Sequence, residues 1–184
     1  MQRYILTGTP GAGKTSVIRE LAALGHRVVE EAATDVIARE QARGEREPWT
    51  APSFVDSVVA LQRERQTAPV ADGTRVQFYD RSPICTHALS RYLGLPVTPA
   101  LAAETDRITR EEVYRRQVFF VRNLGFCEPT AARRISFQES LVFERIHQEA
   151  YLAFGYELVP VPARTPADRA ALITAAVARL TAGG

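Results

Sequence analysis

Residues 8–15 constrain the fold of this chain more than any other part of its sequence. They read GTPGAGKT, which fits the pattern G-x-x-x-x-G-K-[ST] at every fixed position. An apolar stretch typical of a short buried strand precedes them at 4–7, and a stretch with helical periodicity follows at 14–24. In this context, backbone N–H groups and the start of the helix converge on phosphate oxygens. The segment therefore predicts a Walker A loop that binds a nucleoside triphosphate.

The motif assigns chemistry to its polar residues. Lys14 reaches the β- and γ-phosphates, and the Thr15 hydroxyl ligates Mg²⁺, so we expect ATP and Mg²⁺ as cofactors. Lys14 is also the only lysine among the 23 basic residues, at a position where arginine's planar fork does not replace a compact ammonium group. The predicted cofactor-binding residues are Gly8, Thr9, Pro10, Gly11, Ala12, Gly13, Lys14, Thr15 and Ser16.

Strand-like and helix-like segments alternate along the whole chain. Predicted strands lie at 4–7, 27–30, 76–79, 118–121 and 156–161. Predicted helices lie at 14–24, 32–42, 53–66, 82–94, 98–109, 129–154 and 165–180. This alternation favours a three-layer α/β fold around a parallel sheet. Because no linker or repeat interrupts it, we expect a single domain over residues 1–184.

Short polar residues mark several of the predicted helix starts. Ser53, with Asp56 three residues later, resembles a capping box. Ser82 and Thr98 each precede a proline, which suits an N-cap followed by proline at the first helical position.

Charged residues follow the second and third predicted strands, where ligands bind in parallel sheets. Asp80 ends an apolar run and resembles a Walker B acid near Mg²⁺, although a helix-capping role is the alternative. Arg81 would pair with phosphate or with an acceptor, or else be a surface arginine. Glu31, with Glu30 as the second candidate, would act as a base or contact an acceptor. The alternative for these two is an acid that favours a helix N-terminus.

Two adjacent arginines, Arg133 and Arg134, follow the fourth predicted strand and its loop. We predict that residues 123–134 form a lid whose arginines close on the γ-phosphate; a solvated basic face is the alternative. The predicted catalytic residues are thus Lys14, Glu31, Asp80, Arg81, Arg133 and Arg134, and the predicted metal ligands are Thr15 and Asp80.

Composition excludes several other classes. The net charge of +2 is too small for a nucleic-acid groove, and no apolar run reaches the roughly 20 residues that span a bilayer. The first residues lead directly into a predicted strand, from which we expect no signal peptide and a cytoplasmic location. Cys85 and Cys127 lack the spacing of a zinc site and are expected to be reduced and buried.

The sequence resembles bacterial P-loop proteins of the AAA-domain or kinase-like NTPase group. The segments that carry the resemblance are TGTPGAGKTSVIRELAALGHRVVEEAATDVI, FYDRS, VFFVRNL, RRISFQES and AYLAFGYELVPVP. Its layout is also similar to that of nucleoside and nucleotide kinases. The resemblance implies the strand order 2-3-1-4-5. It also implies a base at Glu31 or Glu30, a Mg²⁺-side acid at Asp80, a phosphate contact at Arg81 and an arginine lid at Arg133 and Arg134.

We therefore expect a phosphotransferase with two partners, a nucleoside triphosphate and a small-molecule acceptor that no motif identifies. Trp49, Phe54 and Tyr92 are candidates to line the acceptor pocket, although packing in the core is the more common use of such aromatic residues. An acceptor-independent ATPase or a regulatory nucleotide switch is the alternative. A GTPase is disfavoured because its guanine-reading motif needs a second lysine, and a ring-forming motor because the chain lacks room for a helical lid domain.

Overall fold

The computed structural model describes residues 1–125 and 135–182. Five strands form one parallel sheet in the order β2-β3-β1-β4-β5, which confirms the predicted fold class and strand order. The strands are β1 (Gln2–Thr7), β2 (Arg27–Val29), β3 (Val76–Asp80), β4 (Gln117–Val121) and β5 (Glu157–Val161). The helices are α1 (Lys14–Ala23), α2 (Ala32–Ala42), α3 (Phe54–Thr67), α4 (Pro83–Tyr92), α5 (Pro99–Arg110), α6 (Phe137–Ala153) and α7 (Pro166–Ala182). A short 3₁₀ helix, Pro48–Thr50, lies between α2 and α3.

Two apolar layers cover the two faces of the sheet. Tyr4 and Leu6 of β1 belong to the core that α1 and α7 complete. Ile5, between them, belongs to the opposite core, which α4 and α6 complete. This alternation follows from the two-residue period of a strand. Because β1, β2 and β3 run parallel, their carboxyl ends lie together at one edge of the sheet.

Helix starts agree with the sequence only in part. The Thr98 hydroxyl accepts from the Leu101 N–H at 3.2 Å, as an N-cap should. The capping box predicted at Ser53 is wrong, because Ser53 has helical backbone angles and no side-chain bond to the helix. The Asp56 carboxylate instead accepts a hydrogen bond from the Thr98 hydroxyl.

The start of α6 also differs from the predicted helix at 129–154. Residues 129–134 lie outside the described part of the chain, and α6 begins at Phe137. Ser136 and Glu139 form a complete capping box there, a signal that the sequence carries as S-x-x-E. Within the described ranges, no helix is long and apolar enough to cross a membrane.

Candidate functional site

The loop predicted to bind phosphate, residues 8–15 (the Walker loop), joins β1 to α1 at the carboxyl edge of the sheet. Gly8 has φ +136°, and a Cβ there would lie 2.3 Å from the Val121 carbonyl oxygen, so only glycine lets the loop cross β4 this closely. Gly11 and Gly13 also have positive φ, +83° and +81°. Glycine thus supplies both the close approach and the turns of the loop.

Lys14 is the first residue of α1 and is only 6% exposed. Its Nζ donates to the Thr9 carbonyl at 2.8 Å. Burial and then the nearby Arg81 lower the pKa of Lys14 to about 8, against the opposite effect of Asp80 and Glu31. The ammonium group is therefore mostly charged at neutral pH and lies where an anion would stabilise it further.

A cavity of about 340 Å³ (the loop cavity) opens above the Walker loop. Six of the predicted cofactor-binding residues line it: Pro10, Gly11, Gly13, Lys14, Thr15 and Ser16. The other three, Gly8, Thr9 and Ala12, are buried and form the base of the loop. The Thr9 hydroxyl is buried without a hydrogen-bond partner among the described residues.

Arg81 and Glu31 form an ion pair beside the loop cavity. Arg81 follows β3 with φ +76°, and its backbone N–H donates to the Leu6 carbonyl at 3.0 Å, which turns its side chain toward the start of α2. Glu31 precedes α2 and also accepts a hydrogen bond from the Thr34 hydroxyl at 3.0 Å. Burial raises the pKa of Glu31, but Arg81 and Lys14 outweigh burial and the pKa is lowered overall.

Glu30, the second candidate base, differs from Glu31 in its setting. Glu30 is exposed, and its backbone carbonyl accepts from Arg65 at 2.8 Å. Only Glu31 lines the loop cavity and contacts Arg81. Glu31 is therefore the better placed of the two.

Asp80 is the last residue of β3 and pairs in register with Leu6 of β1, so it lies at the edge that carries the Walker loop. Its Oδ1 is buried and has no hydrogen-bond partner among the described residues. Burial, partly countered by Lys14 and reinforced by Glu31, raises the pKa of Asp80 to about 6. A buried carboxylate oxygen without a donor fits a Mg²⁺ site.

No group of three or more potential metal-ligating side chains occurs in the ranges 1–125 and 135–182. Mg²⁺ at a nucleotide does not need such a group, because phosphates and waters supply most of its ligands. Thr15 and Asp80 therefore remain the residues that would hold it.

A second cavity of about 140 Å³ (the side cavity) lies next to the loop cavity. The two cavities share Pro10, Glu31, Ala33 and Arg81. The remaining lining of the side cavity is mainly apolar, with one amide, and comes from α3, α4 and α6: Val58, Gln62, Cys85, Thr86, Leu89 and Phe143. The Thr86 hydroxyl donates to the Gln62 Oε1 at 3.0 Å.

The three aromatic candidates for the acceptor pocket do not line the side cavity and pack in the core, which was the alternative for them. Phe54 is buried in a small core between α2 and α3, with Trp49 packed against it. The Tyr92 ring packs on Phe143, with centroids 4.6 Å apart. Their bulk is used in packing instead, and Phe143 is the aromatic residue that reaches the cavity.

Helix α6 contributes residues that the sequence analysis did not identify. His147 is fully buried, its Nε2 lies 3.3 Å from Arg81 Nη1, and its Nδ1 lies 3.0 Å from the Phe143 carbonyl oxygen. Burial and then Arg81 lower the pKa of His147 to about 3, so the ring is neutral and holds Arg81 without adding charge.

Tyr151, also on α6, forms a hydrogen bond with the Ser82 hydroxyl at 2.8 Å and another with the Cys85 thiol at 3.0 Å.

The predicted lid arginines, Arg133 and Arg134, lie outside the described residues, as does Cys127. Cys85 is buried and not disulfide-bonded, as expected.

The strand order and the Walker loop define a P-loop NTPase with a kinase-like fold. A family model described as an AAA domain matches residues 3–169, and the chain belongs to that family. No curated protein matches the sequence.

Solved structures with the same fold include nucleotide-binding proteins. Deoxyadenosine kinase from M. mycoides with bound dATP superposes with a TM-score of 0.59 at 14% identity, over 96% of this chain and 99% of that chain. The NadR protein in complex with NAD and AMP-PNP superposes with a TM-score of 0.63 at 15% identity, over 88% of this chain and 44% of that chain. This chain thus matches less than half of the NadR chain, and at these identities the likeness concerns the fold.

Proposed function

We propose that this protein is an ATP- and Mg²⁺-dependent phosphotransferase that moves the γ-phosphoryl group of ATP to a hydroxyl group of a small molecule. The observation that carries the proposal is the pair of cavities that share Glu31 and Arg81. One cavity has the Walker loop as its floor, and the other is a mainly apolar pocket built from helices. An acceptor-independent ATPase has no need of the second cavity.

The nucleotide side of the site supplies positive charge and positioning, which is most of what phosphoryl transfer requires. Lys14 and the loop N–H groups would bind the phosphate oxygens, with Thr15 and Asp80 as the groups that hold Mg²⁺. Mg²⁺, when bound with ATP, neutralises charge on the β- and γ-phosphate oxygens. Arg81 lies between the two cavities, where it would stabilise negative charge on the transferring group.

The acceptor side depends on Glu31. Its lowered pKa keeps it ionised at neutral pH, so it can accept a hydrogen bond from an acceptor hydroxyl and orient that oxygen toward the loop cavity. A weakly basic carboxylate is sufficient, because phosphoryl transfer has a loose transition state in which the nucleophile is little deprotonated. The proton of the hydroxyl would pass to Glu31 as the new P–O bond forms and the bond from the γ-phosphorus to the β–γ bridging oxygen breaks, which releases ADP.

The side cavity suggests which acceptors to test first. Its apolar lining from Val58, Leu89 and Phe143 suits a flat ring, and the Gln62 amide suits a ring carbonyl or nitrogen. Solved structures with this fold carry dATP or dCTP, and NadR is known in complex with NR. We therefore propose a nucleoside-like alcohol as the acceptor class.

The test is ATP consumption with and without a panel of nucleosides, nucleotides and sugars, with Lys14→Ala as the inactive baseline. At least one nucleoside should raise ATP consumption and appear as its phosphate ester. Steady release of inorganic phosphate that no acceptor raises would contradict the proposal and favour the acceptor-independent ATPase.

A matched pair of variants tests the role of Glu31. Glu31→Gln should lower kcat by about 100-fold or more, the usual contribution of a positioned acid or base. Glu30→Gln removes the neighbouring exposed carboxylate and should change kcat by less than about threefold. Equal kcat values for the two variants would show that Glu31 does not orient the acceptor.

A further inference from the structure

An arginine of the last helix donates a hydrogen bond to the Walker loop from the core side. This arginine lies outside the sequence motif. Arg169, in the first turn of α7, is only 2% exposed. Its guanidinium donates to the Ala12 carbonyl at 2.6 Å. It also donates to the Arg122 carbonyl at 3.1 Å and, through Nε, to the Pro162 carbonyl at 2.9 Å. One side chain thus joins the Walker loop to the segments that follow β4 and β5.

The bond to Ala12 fixes the direction of the next N–H group. The Ala12 C=O and the Gly13 N–H belong to the same peptide plane, and in a trans peptide they point in opposite directions. Because Arg169 draws the Ala12 carbonyl toward the core, the Gly13 N–H is directed away from the core. Gly13 lines the loop cavity, so this N–H is directed toward the phosphate site.

The contact is close enough to restrict the loop. A Cβ on Gly13 would lie 3.4 Å from Arg169 Nη1, which places the guanidinium directly beneath this part of the loop. Each of the other segments held by the guanidinium continues a strand of the sheet. The rigid sheet therefore supports the loop through a single side chain.

The charge of Arg169 is also unusual. Among the described residues, no carboxylate forms an ion pair with it, and its three partners are neutral carbonyls. A buried cation that is paired only with neutral groups keeps part of its desolvation cost. An anion in the loop cavity would lower that cost, so the same charge attracts a triphosphate.

We propose that Arg169 is a positioning residue of the nucleotide site. It holds the Ala12–Gly13 peptide so that the Gly13 N–H binds phosphate, and its buried charge adds to that of Lys14. The inference rests on the proposed ATP site and identifies a part of that site that lies outside the Walker motif.

The test compares Arg169→Met and Arg169→Lys with a control at Arg107. Arg107 is also largely buried and makes several hydrogen bonds, but to the side chains of Glu104, Glu111 and Gln66, away from the Walker loop. Dissociation constants for ATP come from calorimetry and those for adenosine from ligand-observed NMR. Thermal unfolding of each variant reports its stability.

Arg169→Met should weaken ATP binding by about tenfold or more, the contribution of one charge-assisted hydrogen bond. Binding of adenosine, which has no phosphates, should change by less than about twofold. Arg107→Met should lower the unfolding temperature and leave ATP affinity within about twofold of wild type. A residue with a merely structural role would not give this selective loss of triphosphate binding.

Arg169→Lys covers the case in which the methionine variant does not fold. Lysine keeps the charge but cannot reach three carbonyls, so ATP should still bind several-fold more weakly. In the presence of ATP, hydrogen exchange of the Gly13 N–H should be faster than in the wild type. Wild-type ATP affinity in either folded variant, equal losses for ATP and adenosine, or failure of both variants to fold would overturn the inference. Failure of the wild-type protein to bind ATP would instead refute the proposed function itself.

Discussion

Replacing Asp80 with asparagine should make the nucleotide-free protein more stable and the enzyme inactive. The substitution keeps the shape of the side chain and removes its charge. Asp80 is buried, and its Oδ1 has no hydrogen-bond partner among the described residues. Its ionised form is therefore unfavourable in the folded protein until a cation binds.

The size of the effect follows from the pKa. The pKa of Asp80 is about 6 instead of the usual 3.8, because of burial first and then the balance of Lys14 and Glu31. At about 1.4 kcal/mol for each pKa unit, ionisation costs the folded state on the order of 3 kcal/mol above pH 6. An acid whose pKa is raised on folding loses stability as pH rises through that pKa. The gain from Asp80→Asn should therefore be largest at pH 8, about half as large at pH 5, and absent below about pH 3.8.

Urea unfolding of the nucleotide-free protein at pH 8 and pH 5 measures this gain. For a chain of this size, about 3 kcal/mol corresponds to a rise of roughly 6 to 10 °C in the unfolding temperature. Asp72→Asn, at an exposed turn, is the control and should change stability by less than about 0.5 kcal/mol. An Asp80→Asn protein that is less stable than wild type at pH 8, or whose gain grows as pH falls, would refute the reasoning.

Three further predictions concern the Walker loop and the lid. Lys14→Ala should abolish ATP binding in calorimetry, and unchanged affinity would remove the basis of the nucleotide site. Gly8→Ala should cost about 3 kcal/mol or more in urea unfolding because its Cβ would overlap a carbonyl of β4. Gly44→Ala, with φ +96° and open space around it, should cost only about 1 kcal/mol, and equal costs would contradict the packing argument. Arg133→Ala and Arg134→Ala test the lid predicted from the sequence: at least one should lower kcat by about tenfold or more, and unchanged kcat in both would rule the lid out.

The sequence was most informative where local chemistry decides the structure. Hydrophobic patterns located all five strands, and Thr98 marked a helix start correctly. Ser53 did not form the predicted capping box, because its backbone angles are helical and its side chain makes no hydrogen bond to the start of α3. Ser82 lies at the N-cap position of α4 with proline after it, as predicted, but its hydroxyl contacts Tyr151 and makes no bond to the helix. The capping patterns thus located the starts of α4 and α5, but they did not determine whether the side chain itself bonds to the helix.

The site was predictable where parallel strands end together and unpredictable where distant segments meet. Glu31 and Arg81 were placed at one edge by their positions after β2 and β3. Their ion pair depends on the left-handed backbone of Arg81, which no local pattern indicates. Arg169 and His147 reach the site only through the packing of α7 and α6 on the sheet, so helical periodicity alone could not assign them a role.

The central claim, transfer to an acceptor rather than to water, is tested most directly by turnover in H₂¹⁸O with ATP, Mg²⁺ and a nucleoside panel, analysed by mass spectrometry. The proposed phosphotransferase should form a nucleoside phosphate without ¹⁸O, and its yield should account for most of the ADP produced. Inorganic phosphate that carries one ¹⁸O per ADP, with no phosphorylated acceptor, would contradict the account.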